Sequence, residues 1–260
     1  MQVKNECWQS DELYNSAVVV VVQRNAGSRI VRALASVYRQ DYDDIGILFI
    51  DDASTDDTKV LASDFFAQNI GRGFSVVTHF NASQTPKVAS LDTAIRKFCK
   101  NPESVIFWLD GDDELLTNEA IRVMMEDHQV YDVVWSQHEF VNLKKGLTFG
   151  GFCASMESDC PRQHRWVSSH LKSFKNHLFQ RIENWMLRDD EGVYYPFAVD
   201  RVIMYRLIEM VGKDRCFFRD KVYYRYYHAT PEPIVRLQKE CVEKLVVQEP
   251  LGARWQGFVQ

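Results

Sequence analysis

Two groups of acids carry the chemistry legible in this chain. Asp51 and Asp52 follow the apolar run Ile45 to Ile50, and Asp110, Asp112 and Asp113 follow Val105 to Leu109. If both runs are strands of an open α/β sheet, the acids stand at its carboxyl edge, where such sheets bind ligands. Carboxylates sharing one crevice raise each other's pKa unless a cation neutralises them, so a divalent ion is the simplest resolution. Oxygen donors without clustered His or Cys select Mg2+ or Mn2+ over zinc, and these ions keep positions that substrate phosphates fill. The step Asp110-Gly111-Asp112 can place two carboxylates around one ion, with glycine letting the backbone bend closely. A structural reading of Asp51 and Asp52 stays open beside this one. Asp at a strand end often caps the next helix, and Ser54 with Asp57 has the spacing of a capping box. Asp56 and Asp57 read as first-turn helix acids.

The elements that must position these acids follow from periodicity. Short β-branched runs alternating with helical patterns predict a mostly parallel sheet. Strands are expected at Ala17 to Val22, Ile45 to Ile50, Phe74 to His79 and Ser104 to Leu109, with helices at Ser28 to Arg39, Thr55 to Gln68 and Lys87 to Phe98. Later come a strand at Tyr131 to Phe140, an irregular loop or flap at Asn142 to Arg165, and helices at Leu171 to Ile182 and Ala198 to Val211. A Tyr-rich strand, Lys221 to Tyr227, precedes an amphipathic helix at Ile234 to Val247.

The 260 residues hold 31 basic and 36 acidic side chains, a net charge of −5, with 46% hydrophobic content. This is an ordinary globular composition, and its mild acidity argues against a nucleic-acid partner. The longest uncharged apolar run is Ala17 to Val22, far short of a transmembrane segment, and no basic-then-apolar leader opens the chain. Six scattered cysteines without a C-x-x-C pair are expected to be reduced.

In order and spacing, four segments over about the first 115 residues resemble the family 2 glycosyltransferases of the GT-A fold. They are Val18 to Asn25, Ala33 to Tyr42, Ile50 to Thr58 and Leu109 to Asp113. The resemblance, of the inverting bacterial polysaccharide type, implies an α/β fold with a Rossmann-like nucleotide-binding half and an acceptor-binding half. As one GT-A domain over 1–260, these would cover approximately 10–115 and 116–230, followed by a C-terminal helix and tail at 231–260. It implies a nucleoside-diphosphate sugar as donor, a UDP-sugar being expected, and a glycan or other hydroxyl acceptor. Hexosyl or N-acetylhexosaminyl transfer in glycan or polysaccharide assembly would follow.

By the same matching, Asp52 would contact the base, Asp110 the ribose or the metal, and Asp112 with Asp113 the Mn2+ or Mg2+ carrying the diphosphate. The ion would stabilise charge on the departing diphosphate as a Lewis acid. Gln23, Arg24 and Asn25 replace the usual end of the first strand, and Arg24 could stack on a base or pair with phosphate. Lys87 and Lys172 are candidate donor contacts, and His228 is a candidate third metal ligand or diphosphate contact. The second half resembles the family more loosely, through Ser169 to Phe174, Asp200 with Glu209, and the strand ending at His228. Asp200, opening a late helix, would be the base that takes the acceptor proton, with Asp190 in reserve. Trp166 and Trp185 read as core, or as sugar platforms where exposed.

Competing classes are a phosphotransferase of the haloacid dehalogenase type, a receiver domain, and a catalytically silent sugar-nucleotide or glycan-binding module. The first lacks its nucleophilic Asp early in the sheet, and the second is about half this length. A dinucleotide fold is disfavoured because no G-x-G-x-x-G follows the first strand. The terminal helix could dock on a partner, a second copy or a membrane surface, the last disfavoured by its mixed charge. A cytoplasmic protein is expected, at most peripheral to the inner membrane.

Overall fold

The computed structural model describes residues 9–70, 73–142, 146–228, 232–248 and 250–251. Four strands, β1 (Ala17–Gln23), β2 (Ile45–Asp51), β3 (Ser75–Phe80) and β4 (Val105–Asp110), pair in parallel in the order β3-β2-β1-β4. Every residue of β1 and β2 is buried, as expected of strands covered on both faces. Val18, Val20 and Val22 face one core with Leu91 and Ile95 of α3 (Lys87–Phe98). Val19 and Val21 face the other, with Leu34 and Val37 of α1 (Arg29–Tyr38) and Phe66 of α2 (Thr58–Gln68). Each such aliphatic side chain withdrawn from water contributes about 1.5–3 kcal/mol.

The chain steps outward from β1 to β3 and returns to place β4 on the other side of β1. That reversal leaves a crevice at the carboxyl ends of β1 and β4.

Beyond β4 the chain forms β5 (Glu114–Leu115), α4 (Ala120–Asp127), β6 (Val133–Asn142), β7 (Leu147–Gly150), β8 (Lys172–Lys175), α5 (Asn176–Gln180), α6 (Val199–Val211), β9 (Cys216–His228) and α7 (Glu232–Val247). The sheet continues β4-β8-β6-β9-β5, with β7 folded antiparallel onto β6.

Three expectations are corrected. The helix expected over Leu171 to Ile182 is the strand β8 followed by the short α5. Lys172–Lys175 is captured between β4 and β6, pairing antiparallel with both, and this ladder overrides the local helical period. The segment Asn142 to Arg165 is not wholly irregular: it holds β7 and a 3-10 turn at Pro161–Gln163. The capping box does not form, because the Ser54 hydroxyl accepts from Gln23 Nε2 (3.1 Å) and the Asn25 amide (2.9 Å). The carboxylate of Asp56 accepts from the Thr58 amide instead, at 3.1 Å.

Arg162 ties the terminal helix to the body. Its fully buried guanidinium pairs with Glu209 of α6 and donates to the Leu245 carbonyl at 2.5 Å. Among the described residues the cysteines are free, and no helix is long and apolar enough to cross a membrane.

Candidate functional site

Strand register sets the site. Gln23 lies beside Asp51, and Val22 beside Asp110, so the ends of β1, β2 and β4 are level. Gly111 then passes so close to Gln23 that an added Cβ would meet the Gln23 Cβ at 2.5 Å, so no larger residue fits there. Asn25 and Ala53, just past the ends of β1 and β2, and Ala198, before α6, are non-glycine residues that hold φ near +55°, a strained conformation that gathers at functional sites.

A cleft of about 230 Å3 is lined by Val22, Gln23, Arg24, Ala26, Arg29, Asp52, Lys87 and Asp112. The two acid groups therefore share one crevice. Asp52 is held by the end of β3: its Oδ1 accepts from Asn81 Nδ2 (2.7 Å) and from the Thr85 amide (2.9 Å). Asp51, fully buried, faces the protein, accepting from the Ser54 amide at 2.9 Å and from Gln23 at 3.2 Å. Arg24 is exposed at the cleft, whereas the Asn25 carboxamide is spent on the Thr55 amide at 2.9 Å and does not line it.

The acids after β4 divide by environment. Asp110 is ion-paired with Lys87 and accepts from Trp108 Nε1 at 3.1 Å. Burial would raise its pKa, but the charges of Lys87 and Lys172 outweigh this and hold it below the ordinary range. Lys87 is raised for the reciprocal reason: Asp110 overcomes the burial that would lower it. Asp112 is 41% exposed, and Arg29 stands 3.5 Å away. Burial, then the neighbouring charge of Asp110, raises its carboxyl.

Asp113 departs from the expected metal set. It is fully buried, with Oδ2 accepting from the Tyr224 hydroxyl and Oδ1 from the Tyr227 amide, both at 2.8 Å. Burial and the charges of Asp110 and Asp112 push its pKa well up. The side chain of His228 lies outside the described residues. Among those described, no three His, Cys, Asp or Glu side chains converge on a common ion position.

A second cavity, of about 640 Å3, lies beside the first and shares Lys87 with it. Asp110, Lys172, His170 and Asp200 line it, together with an aromatic group and one face of α7. Lys172 is fully buried, donating to His170 Nδ1 at 2.9 Å and lying 4.7 Å above the Trp108 ring. Burial lowers its pKa, against the pull of Asp200 and Asp110. His170 stacks on Tyr224 at 4.5 Å, and burial with the Lys172 charge keeps it neutral. Asp200 sits in the first turn of α6. Asp190, the reserve base, lines a different cavity and accepts from Gln248 at 3.1 Å. Trp166 is 9% exposed and lines the larger cavity; Trp185 is 46% exposed and lies outside both.

Sequence reasoning missed Arg29, Trp108, Asn81, Thr85 and Tyr224. Asn81 and Thr85 follow the carboxyl end of β3, so the rule that found the acids would have reached them.

TarS of S. aureus superposes with a TM-score of 0.63 at 16% identity, over 92% of this chain and 41% of that one. TarS 1-349 in complex with UDP-GlcNAc gives 0.60 at 16%, over 92% and 69%. The mannosyltransferase PcManGT from Pyrobaculum calidifontis, in complex with GDP-Man and Mn2+, gives 0.56 at 17%, over 88% and 61%. The chain thus spans about two fifths of that TarS chain. At these identities the likeness establishes a shared GT-A fold. No curated protein matches significantly in sequence. The profile of glycosyl transferase family 2 matches residues 17–183, most of the chain and all four strands that carry the cleft, and the protein belongs to that family.

Proposed function

We propose that this protein transfers a sugar from a nucleoside-diphosphate donor to an acceptor hydroxyl, with inversion at the anomeric carbon, in glycan assembly. The observation that carries the reading is that Lys87 and its partner Asp110 stand where two cavities meet. One is bounded by Asp52 and Asp112, the other by Asp200. Residues 10–115 form the donor half, and 116–230 with α7 form the acceptor half.

In the donor cleft, Asp52 receives the base, already fixed by Asn81 and Thr85 and so spared reorganisation on binding. Arg24, Arg29 and Lys87 supply cationic contacts to the diphosphate, and Lys172 reaches the same junction from the other cavity. A UDP-sugar is the expected donor; the solved relatives include complexes with UDP, UDP-GlcNAc and GDP-Man.

The donor set fits a hard divalent cation. Asp112 is a half-exposed oxygen ligand whose ionisation is opposed by burial and by Asp110, a conflict that Mn2+ or Mg2+ relieves. One or two carboxylates plus phosphate oxygens and water satisfy such ions, so Asp112, with Asp110 beside it, would hold one. When bound, it supplies positive charge against the diphosphate. PcManGT and GalNAc-T7 were crystallised with Mn2+.

Asp200 takes the acceptor proton as the hydroxyl oxygen forms its bond to the anomeric carbon and the diphosphate leaves with the electron pair of the broken bond. The test combines titration with UDP and GDP in Mn2+ and turnover of UDP- and GDP-sugars. Asp200→Asn should keep nucleotide binding and lose about 10²–10⁴-fold in turnover. Unchanged turnover removes Asp200 from the role. Nucleotide binding without turnover of any donor and acceptor favours a silent binding module.

A further inference from the structure

The larger cavity contains an exposed aromatic side chain on an unusually fixed backbone. Phe152 is 44% exposed and lines the cavity that holds Asp110 and Asp200. The ring does not stand alone: Phe140 and Tyr226 line the same cavity, so an aromatic group rather than a single exposed side chain faces it. The backbone on both sides of it is pinned to β6. A Cβ added to Gly151 would strike the His138 carbonyl, so only glycine permits this approach. Cys153 donates its amide to Gln137 Oε1 at 3.1 Å and accepts from Gln137 Nε2 at 3.2 Å, and the Ala154 carbonyl accepts from Trp135 Nε1 at 3.0 Å. The ring itself meets His138 edge-on at 5.3 Å and stacks with Phe140 at 6.0 Å and 26°. Phe152 is thus preorganised rather than floppy, and a ligand ring that lands on it orders little.

The face of α7 lining the same cavity has a complementary character. Val235, Gln238, Lys239, Val242 and Glu243 recur at helical spacing along one stripe. Gln238, Lys239 and Glu243 bring an amide, an ammonium and a carboxylate to the cavity wall. An aromatic face combined with such polar groups suits a molecule with an apolar C–H face and a hydroxyl edge. A pyranose ring has that form. A lipid chain would leave the polar stripe unpaired, at a desolvation cost.

Resting on the proposed glycosyl transfer, we propose that the acceptor is a saccharide and that Phe152 is the platform for its pyranose ring. Phe152 is a specificity-determining residue that positions the hydroxyl toward Asp200 and takes no part in the chemistry.

Saturation-transfer NMR and titration of methyl glucoside, cellobiose, maltose and chitobiose, with UDP and Mn2+ present, test this. UDP and GDP binding are measured first. At least one glycoside should bind, with saturation strongest on the ring C–H protons of one face. Phe152→Ala should weaken it about five- to tenfold while nucleotide affinity stays unchanged, and Phe152→Tyr should restore it. Equal glycoside affinity in Phe152→Ala, or nucleotide binding without glycoside binding across the panel, overturns this inference alone. Failure to bind either nucleotide overturns the donor reading and this inference with it.

Discussion

Lys87 and Asp110 form an ion pair between the first turn of α3 and the end of β4, at the junction of the two cavities. The pair links the helix that opens the donor cleft to the strand that closes it. Lys87→Met removes the cation and leaves Asp110 without its nearest counter-charge. Nucleotide-sugar affinity, measured by titration calorimetry, should fall about tenfold or more, and Lys87→Arg should recover part of it.

The acids after β4 should separate by role. Asp112→Asn should abolish the thermal shift that Mn2+ gives in the presence of UDP, because the ion loses its exposed oxygen ligand. Asp113→Asn should leave that shift in place, since its oxygens already serve Tyr224 and Tyr227. Tyr224→Phe strands a buried carboxyl oxygen and the Asp110 amide, and should cost about 1–3 kcal/mol in denaturant unfolding.

Buried histidines give the fold an acid limb. Burial pushes His128 down to about 3 and His138 down to about 4, with Lys172 adding to the effect at His138. Their unfolded value is about 6.5. Between those values the unfolded chain binds more protons, so stability is complete above about pH 6.5 and is lost as pH falls toward 4. Thermal melts from pH 5 to 8 should show this slope. His128→Gln, which keeps a polar group near Ser173 and Tyr131, should flatten it.

Glu209 neutralises Arg162 and sits 3.5 Å from Arg206, with all three side chains 1% exposed. Glu209→Gln leaves two buried guanidinium groups without their shared anion and should cost about 3–5 kcal/mol. Limited proteolysis should then cut near α7, because Glu209 no longer orients the Arg162 guanidinium that donates to the Leu245 carbonyl.

The donor half was legible because its signals are local. Runs such as Ile45 to Ile50 are apolar enough to be strands in any context, and parallel strands of similar length bring their following acids to one edge. Asp52 and Asp112 were found in that way, and they line one cleft. Sequence also supplied the family, through four segments in fixed order.

What neighbours impose was decided only by the tertiary structure. Leu171 to Ile182 carries a helical period, yet its start became β8 because β4 and β6 left a gap with unpaired backbone that only a strand could satisfy. Asp110, Asp112 and Asp113 are chemically alike along the chain. They part because Lys87 reaches the first, the second stays half exposed, and β9 closes over the third. Phe152 belongs to a segment with no sustained period, and it is Gly151 and Gln137 that fix it at the wall of the cavity Asp200 also lines. Composition and period settle which residues are apolar or acidic; burial, partner and direction depend on other stretches of chain, from 16 residues away for Gln137 and Cys153 to 114 for Asp113 and Tyr227.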